Sequence, residues 1–394
     1  MDINLRYSLQ LQIKQKPLHV FLCILLAGDI DTNPGPVAMS KTQRCLSFNT
    51  QSLRSVNKRQ EDYDAHPAST TTFCDPISDI NISPDDVQRA LLSLDDNKAT
   101  GQDKIPAKSL RCCAPYISSS LADLFNRSLT SGSVPAEWKV SNIIPIPKGG
   151  QKNEVSNYRP ISLLPIVSKV LERCIYDQLI NHVSSELHNL QYGFLRGKST
   201  TSQLLKVLHE FGESLDKRIQ TDVLYLDFAK AFDRVDHQLR LKKLSNFGVC
   251  GNLRKLSWFH NYLSDRHQKV TILGKTSRSI PVLSGVSQGS ILGPLLFLVY
   301  VNDLPEKSTT SSVALFADDT KCYHAIRTTD DVKALQCDLD GISQWCRTWR
   351  MNLNETKCGV LKVTRNLKPV QSSYHLATTI TQPTQRSSVK GLLI

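Results

Sequence analysis

From Ser83 to about residue 365 the spacing of apolar side chains switches repeatedly between a period near 3.6 and a period of two, the pattern of helices and strands interleaved in a compact α+β region. Ser83-Pro84-Asp85-Asp86 predicts a helix start, with Ser83 as cap, Pro84 at the first position and acidic residues favoured by the helix dipole. Val87, Ala90, Leu91 and Leu94 give that helix one apolar face. Val223-Leu224-Tyr225-Leu226 predicts a strand over Asp222–Asp227, followed by an amphipathic helix through Leu239, Leu241, Leu244 and Phe247 that stops at Gly248. Gln268–Leu273 and Ser279–Leu283 predict a hairpin turning around Gly274. A helix from near Ser290, with Pro294 in its first turn, is apolar on nearly every side from Leu295 to Tyr300 and must be buried. Val313, Leu315 and Phe316, then Cys322 and Tyr323, predict two short strands with Asp318 and Asp319 at the hairpin tip. Val332, Leu335, Leu339, Ile342, Trp345 and Trp349 recur at helical spacing and predict a core-packing helix.

Charge adds a direction to this pattern. Lys and Arg number 48 against 36 Asp and Glu, a net +12 that suits work on a polyanion, while the 40% hydrophobic content is ordinary for a soluble chain. None of the 11 cysteines forms a C-x-x-C pair and the spacings of Cys337, Cys346 and Cys358 do not suit zinc, so buried thiols in a reducing compartment are expected. The apolar run Leu18 to Ala27 falls well short of the roughly 20 residues that span a bilayer, which excludes a membrane anchor there. With Lys14 and Lys16 before it and Ala27-Gly28 after, the run imitates a signal peptide. Residues 37–80 look like a connector, Ser/Thr-rich and nearly without apolar residues from His66 to Thr72.

The candidate chemistry lies in three carboxylates. Asp227 ends one apolar strand, and Asp318 and Asp319 sit between two others. An Asp-rich turn is the structural alternative. Three carboxylates on neighbouring strands are also what a pair of Mg²⁺ ions needs for phosphoryl transfer, with Asp227 and Asp318 as shared ligands and Asp319 as an accessory carboxylate. Phe232 places a ring beside that site, where it either packs in the core or stacks under a sugar and rejects a 2′-hydroxyl. The small-residue turn Ser284–Ser290 allows close approach to its backbone, and Gln288 supplies an amide there. Lys148 and Arg159 are either solvated cations or holders of a triphosphate.

Taken in order, these segments resemble the reverse transcriptase of LINE-type (non-LTR) retrotransposons. The resemblance runs from Asn157-Tyr158-Arg159-Pro160-Ile161-Ser162 through Gln191-Tyr192-Gly193-Phe194, Gly197-Lys198-Ser199-Thr200 and Leu226-Asp227-Phe228-Ala229-Lys230-Ala231-Phe232-Asp233. It continues through Ser284–Gly293, Phe316-Ala317-Asp318-Asp319, Trp349–Asn354 and Lys357-Cys358. It implies a right-hand polymerase with fingers and palm, the palm an antiparallel sheet backed by helices, copying an RNA template from a DNA primer with dNTPs and Mg²⁺, for which Mn²⁺ substitutes. It further implies Asp227, Asp318, Asp319 and the Phe228 carbonyl as metal ligands, and Phe232 as a sugar gate. Lys148 and Arg159 would face the triphosphate, and Gln288 and Gly289 would line the nucleotide site. Three departures stand out. Ser287 replaces a usual proline, Lys104 replaces a usual glycine, and the chain stops at Ile394 where the family continues into its thumb, so a truncated thumb and weak template and primer binding are expected.

Gly28-Asp29-Ile30-Asp31-Thr32-Asn33-Pro34-Gly35-Pro36 resembles a 2A-type ribosome-skipping peptide with Asp31 for the usual glutamate, which implies separation between Gly35 and Pro36. Leu46–Arg54 resembles the first strand of the endonuclease that such elements carry, which implies a nuclease supplied in trans. The expected organisation is a leader (1–36), a linker with a nuclease remnant (37–80), a helical extension (81–130) and fingers plus palm (131–394), acting in nucleus and cytoplasm rather than in the secretory route. The competing class is a catalytically inert nucleic-acid-binding relic. An RNA-dependent RNA polymerase is disfavoured because Phe232 excludes ribonucleotides.

Overall fold

The computed structural model describes residue 77 and residues 80–381, apart from 150, 152, 250–252, 273–274 and 377–378. The leader with its Gly35–Pro36 junction and the Leu46–Arg54 stretch lie outside the described residues.

Helix α1 (Pro84–Leu92) starts as its cap sequence predicts. The Ser83 hydroxyl accepts from the Asp86 N–H at 3.2 Å and the Asp86 carboxylate accepts from the Ser83 N–H at 2.9 Å, a capping box. Helices α2 (Ala107–Cys112) and α3 (Ala114–Ser131) follow, then the antiparallel hairpin of β1 (Val140–Pro147) and β2 (Tyr158–Leu163). Helices α4 (Ile166–Val183) and α5 (Thr200–Asp216) lead into β3 (Gln220–Leu226). After it come the single turn α6 (Ala231–Arg234), α7 (His237–Asn246) and α8 (Leu253–Leu263), then β4 (Arg266–Ile272), β5 (Lys275–Thr276), β6 (Ile280–Val282) and α9 (Leu292–Val301). The chain continues through β7 (Ser312–Phe316), β8 (Asp319–Ile326), α10 (Thr329–Thr348) and β9 (Gly359–Val363) to the hairpin of β10 (Tyr374–Leu376) and β11 (Thr379–Thr381).

Two sheets organise these elements. One is antiparallel throughout in the order β7-β8-β3-β9. Alternation along β3 sends Leu224 and Leu226 to a core shared with α9 and α10 through Phe297, Tyr300, Leu335, Leu339 and Trp345, while Val223 faces Val207 and Phe211 of α5. The other sheet runs β2-β1-β4-β5 with β6 on β4, and its β1–β4 pair is parallel, Val140 lying opposite His267 and Ile143 opposite Val270. Helices α1, α3, α4, α8 and α9 share one further apolar cluster, so packing is continuous from residue 82 to α9.

Helix α9 is buried on all sides, as its sequence requires, with each residue from Leu295 to Val301 at 1% exposure or less. Burying each large apolar side chain is worth roughly 1.5–3 kcal/mol, which leaves this helix no stable alternative facing solvent. Lys104 takes the left-handed conformation, φ 58°, at the position where glycine was the expected residue. The cysteines only partly follow expectation. Cys174, Cys322 and Cys346 are buried free thiols, but Cys112, Cys113 and Cys337 are exposed, because they fall on the outward faces or ends of their helices. No described helix is long and apolar enough to cross a membrane.

Candidate active site

Strand register brings the three carboxylates to one end of the antiparallel sheet. Leu226 lies opposite Thr320 and Phe316 opposite Asp319, so Asp227, one residue beyond Leu226, arrives beside the β7–β8 turn. That turn consists of Ala317 and Asp318, with Ala317 left-handed at φ 54°. The hairpin tip expected from the apolar pattern is therefore where the structure places it.

Burial pushes the Asp318 carboxyl up from its ordinary range, and the charges of Asp319 and Asp227 push it further, while Arg159 opposes them. Asp319 is also raised, by burial first; Lys321 and Lys357 counter this and Asp227 reinforces it. Three carboxylates that repel one another in a half-buried setting have the donor chemistry and the charge deficit that a hard divalent cation satisfies. Among the described residues no group of three or more His, Cys, Asp or Glu side chains is arranged to hold a metal ion on its own. That is compatible with Mg²⁺, which is commonly held by one or two carboxylates with waters and substrate phosphates completing the shell.

Asp227 is fixed from behind by a segment whose role the sequence did not assign. The Asp227 carbonyl accepts from the Asn354 N–H at 2.7 Å, its N–H donates to Cys358 Sγ at 3.4 Å, and Lys357 Nζ stands 3.5 Å from its carboxylate. Phe228 pairs with Leu353 in an isolated antiparallel bridge, and the Ala229 N–H donates to the Asn352 carbonyl at 2.8 Å. The Asp318 turn is held by Gln191, whose Oε1 accepts from the N–H groups of both Gly193 and Ala317 at 2.8 Å. Gln203 adds a bond from Nε2 to the Leu315 carbonyl at 2.6 Å. Both amides are buried, and no charge or metal-ligand spacing marks them in the sequence.

The nucleotide-side residues assemble around the same end. Phe232, on α6, is half-buried, stacked on Phe297 with centroids 4.4 Å apart and met edge-on by Phe194 at 6.2 Å. Gln288 Nε2 donates to Asp233 Oδ1 at 3.4 Å, and the Gln288 carbonyl accepts from the Ser162 N–H at 2.7 Å. The small residues of this turn serve a contact the sequence did not suggest. A Cβ on Gly285 (φ 83°) would lie 2.5 Å from the Phe232 carbonyl oxygen, and one on Gly289 (φ 119°) would lie 2.6 Å from that of Ser162. The close approach is thus between protein backbones, wedging the turn between α6 and β2. Where proline was the expected residue, the Ser287 carbonyl accepts from the Ser290 N–H at 3.1 Å and from its hydroxyl at 2.9 Å, which closes the turn. Glu172 of α4 caps the start of α9, its Oε2 accepting from the N–H groups of Ile291 at 2.7 Å and Leu292 at 3.1 Å.

Lys148, one residue past the end of β1, and Arg159 on β2 are both exposed, where Ile146 lies opposite Arg159 and Pro147 opposite Tyr158. Burial raises the Asp233 carboxyl, and Lys230, Gln288 and Lys148 pull it back down. Arg159 acts on Asp318 of the β7–β8 turn and Lys148 on Asp233 of α6, so the cations of the β1–β2 hairpin lie within electrostatic reach of these carboxylates. A four-stranded antiparallel sheet backed by helices, carrying acidic residues at one strand end and faced by a basic β-hairpin, is a polymerase palm with fingers.

Comparison with known proteins agrees. The profile of the family described as reverse transcriptase (RNA-dependent DNA polymerase) matches residues 146–384. The chain is 30% identical over 294 residues to the RNA-directed DNA polymerase from mobile element jockey of Drosophila melanogaster, covering 72% of this chain and 32% of that protein. It is 31% identical over 340 residues to the probable RNA-directed DNA polymerase from transposon BS of the same organism, covering 81% of this chain and 36% of that protein. The probable RNA-directed DNA polymerase from transposon X-element, also of Drosophila melanogaster, is 31% identical over 290 residues, covering 70% of this chain and 31% of that protein. The chain belongs to the reverse transcriptase family, within its non-LTR retrotransposon members. It spans about a third of the length of these curated relatives. Reverse transcriptases generally use divalent metal ions, in keeping with the carboxylate cluster.

Proposed function

We propose that this chain is an RNA-directed DNA polymerase that joins deoxynucleotides to a DNA primer on an RNA template by two-metal nucleotidyl transfer. The observation that carries this reading is the placement of Asp227 at one strand end beside the turn that leads from Asp318 to Asp319, where their charges oppose one another in a half-buried setting. Asp227 and Asp318 would be the shared ligands of a pair of Mg²⁺ or Mn²⁺ ions, with Asp319 accessory and the Phe228 carbonyl an additional donor. Bound ions would supply stabilisation of the attacking and leaving oxygens of an in-line displacement.

The remaining roles belong to the chain itself. Lys148 and Arg159, presented by the β1–β2 hairpin toward the carboxylates, hold the triphosphate. Gln288 and Gly289, held on Ser162 and Asp233, line the nucleotide. The Phe232 ring, held between Phe297 and Phe194, excludes a 2′-hydroxyl. The test is incorporation of a labelled deoxynucleotide opposite an RNA template with and without a divalent ion; no incorporation in either condition refutes the reading.

The same reading includes features that lie outside the described residues except at 77 and 80: a leader over 1–36 that separates at Gly35–Pro36 during translation, a linker with a nuclease remnant over 37–80, and an endonuclease supplied in trans. The helical extension over 81–130, the fingers and palm over 131–394, and action in nucleus and cytoplasm complete it. In-vitro translation of the whole chain should release a short N-terminal product, and a single full-length band refutes the separation.

A further inference from the structure

Gln191 bonds the turn that carries Asp318 directly through its side chain. It is 2% exposed, and its Oε1 receives two N–H groups at 2.8 Å, those of Gly193 and Ala317. An amide oxygen has two lone pairs, so both are engaged, while its Nε2 has no partner among the described residues. The segment that carries Gln191 lies directly on the turn, since a Cβ on Gly193 would come within 2.4 Å of the Ala317 nitrogen and 3.0 Å of its Cβ. The Tyr192 N–H also donates to the Leu315 carbonyl at 2.9 Å, and the Leu315 N–H to the Leu190 carbonyl at 3.2 Å, so residues 190–192 lie along the outer edge of β7.

Ala317 is what makes this contact consequential. At φ 54° it occupies the left-handed region, which disfavours any residue with a Cβ and persists only where the surroundings over-determine it. The only bond to its N–H among the described contacts is the one from the turn to Gln191. Gln203 secures the strand two residues earlier, at Leu315, and leaves the turn itself to Gln191. Loss of the acceptor would bury two N–H groups without partners, and the turn would shift or hydrate to satisfy them.

We propose that Gln191 is a positioning residue for the reaction: by accepting from Gly193 and Ala317 together, its side-chain carbonyl locks the turn that sets the direction of the Asp318 carboxylate. The role of Asp318 rests on the polymerase reading above; the geometry of the lock does not. Gln191 itself touches no reacting atom.

The test uses the full 394-residue chain. Gln191→Met keeps length and bulk without the acceptor, and Gln191→Glu keeps acceptor oxygens at the same reach. Amide hydrogen exchange at Ala317 should accelerate in the Met variant and stay near wild type in the Glu variant, with protection of β3 and β8 unchanged in both. In primer extension the Met variant should lose about 100-fold in kcat, the scale of a misplaced catalytic group, with the KM for dNTP within about threefold of wild type. Half-saturating Mg²⁺ should rise about tenfold, the scale of losing a group that orients a metal ligand. A merely structural glutamine would lower the melting temperature and leave kcat and the Mg²⁺ requirement of the folded fraction alone. Wild-type protection at Ala317 in the Met variant, or lost protection with wild-type kcat and Mg²⁺ dependence, overturns the proposal. If the Met variant does not fold, Gln191→Asn, which draws the amide back by one methylene, is held to the same criteria. If the wild-type chain makes no product, the polymerase reading fails while exchange at Ala317 and Mn²⁺ affinity by paramagnetic relaxation still decide the lock.

Discussion

Replacing Phe232 by alanine removes a ring stacked on Phe297 at 4.4 Å and met edge-on by Phe194 at 6.2 Å. Each aromatic pair is worth about 0.5–1.5 kcal/mol beyond area burial, and with the lost burial of a half-exposed ring the stability cost comes to about 2–4 kcal/mol. The same two contacts keep the ring from swinging aside. A 2′-hydroxyl pressed against it therefore meets an overpacked contact, which costs about 1–3 kcal/mol, and at 1.36 kcal/mol per factor of ten this is about 5- to 150-fold in rate. Phe232→Ala should accordingly lower the ratio of kcat/KM for dNTP over rNTP by that factor. Phe232→Tyr, which keeps the ring, should retain the ratio. Single-nucleotide incorporation, measured well below the melting temperature of each variant, reads the effect. An unchanged ratio in an active Phe232→Ala variant refutes the gate and leaves Phe232 as packing alone.

Three further outcomes follow from particular side chains. Asp338 accepts from the N–H groups of Thr309, Thr310 and Ser311 and from two of their hydroxyls, and although burial opposes ionisation, these bonds hold its carboxyl well below the ordinary range. Its contribution is complete above the unfolded carboxylate pKa and is lost as pH falls below it, so Asp338→Ala should cost about 3 kcal/mol at pH 7 by denaturant titration and progressively less under acid; equal loss at all pH values contradicts this. Asp318 has the opposite sign: burial, then Asp319 and Asp227, favour its protonated form in the folded chain, so its ionisation weakens folding as pH rises. In metal-free buffer Asp318→Asn should melt higher than wild type at pH 8 and nearly equal to it at pH 4, and a lower melting temperature at pH 8 refutes the repulsion. Lys104→Gly, relieving a left-handed lysine at about 1–2 kcal/mol against about 0.4–1 kcal/mol of added unfolded-state entropy, should stabilise the chain by roughly 0.5–1 kcal/mol in thermal melts.

Much of this site was legible because its signals are local. The capping sequence at Ser83, the all-round apolar α9 and the alternation either side of Ala317-Asp318 each follow from neighbours in the chain, and each element stands where the pattern predicts. Partnership between distant segments was not legible. The period-two pattern marks β4 as a strand, but it holds no sign that Val140 of β1 lies parallel to His267, because a pairing across such separation leaves no local signal. Gln191, Asn354 and Cys358 fall within the segments that carry the resemblance, but their roles, like that of Gln203, escaped for a related reason: each bonds a backbone group more than one hundred residues away in the chain. Gly285 and Gly289 were recognised as sites of close approach, but the approaching group is the backbone of Phe232 and Ser162.

RNA-templated extension of a DNA primer by the purified 394-residue chain, with Mg²⁺ or Mn²⁺ titrated from zero and Asp318→Asn run in parallel, decides whether the three carboxylates catalyse polymerisation. Template-directed incorporation of dNTPs that requires the divalent ion and disappears in Asp318→Asn, while salt-sensitive RNA binding by the variant persists, is the predicted result. RNA binding without synthesis by the wild-type chain at any metal concentration, or synthesis that survives in Asp318→Asn, would contradict the account.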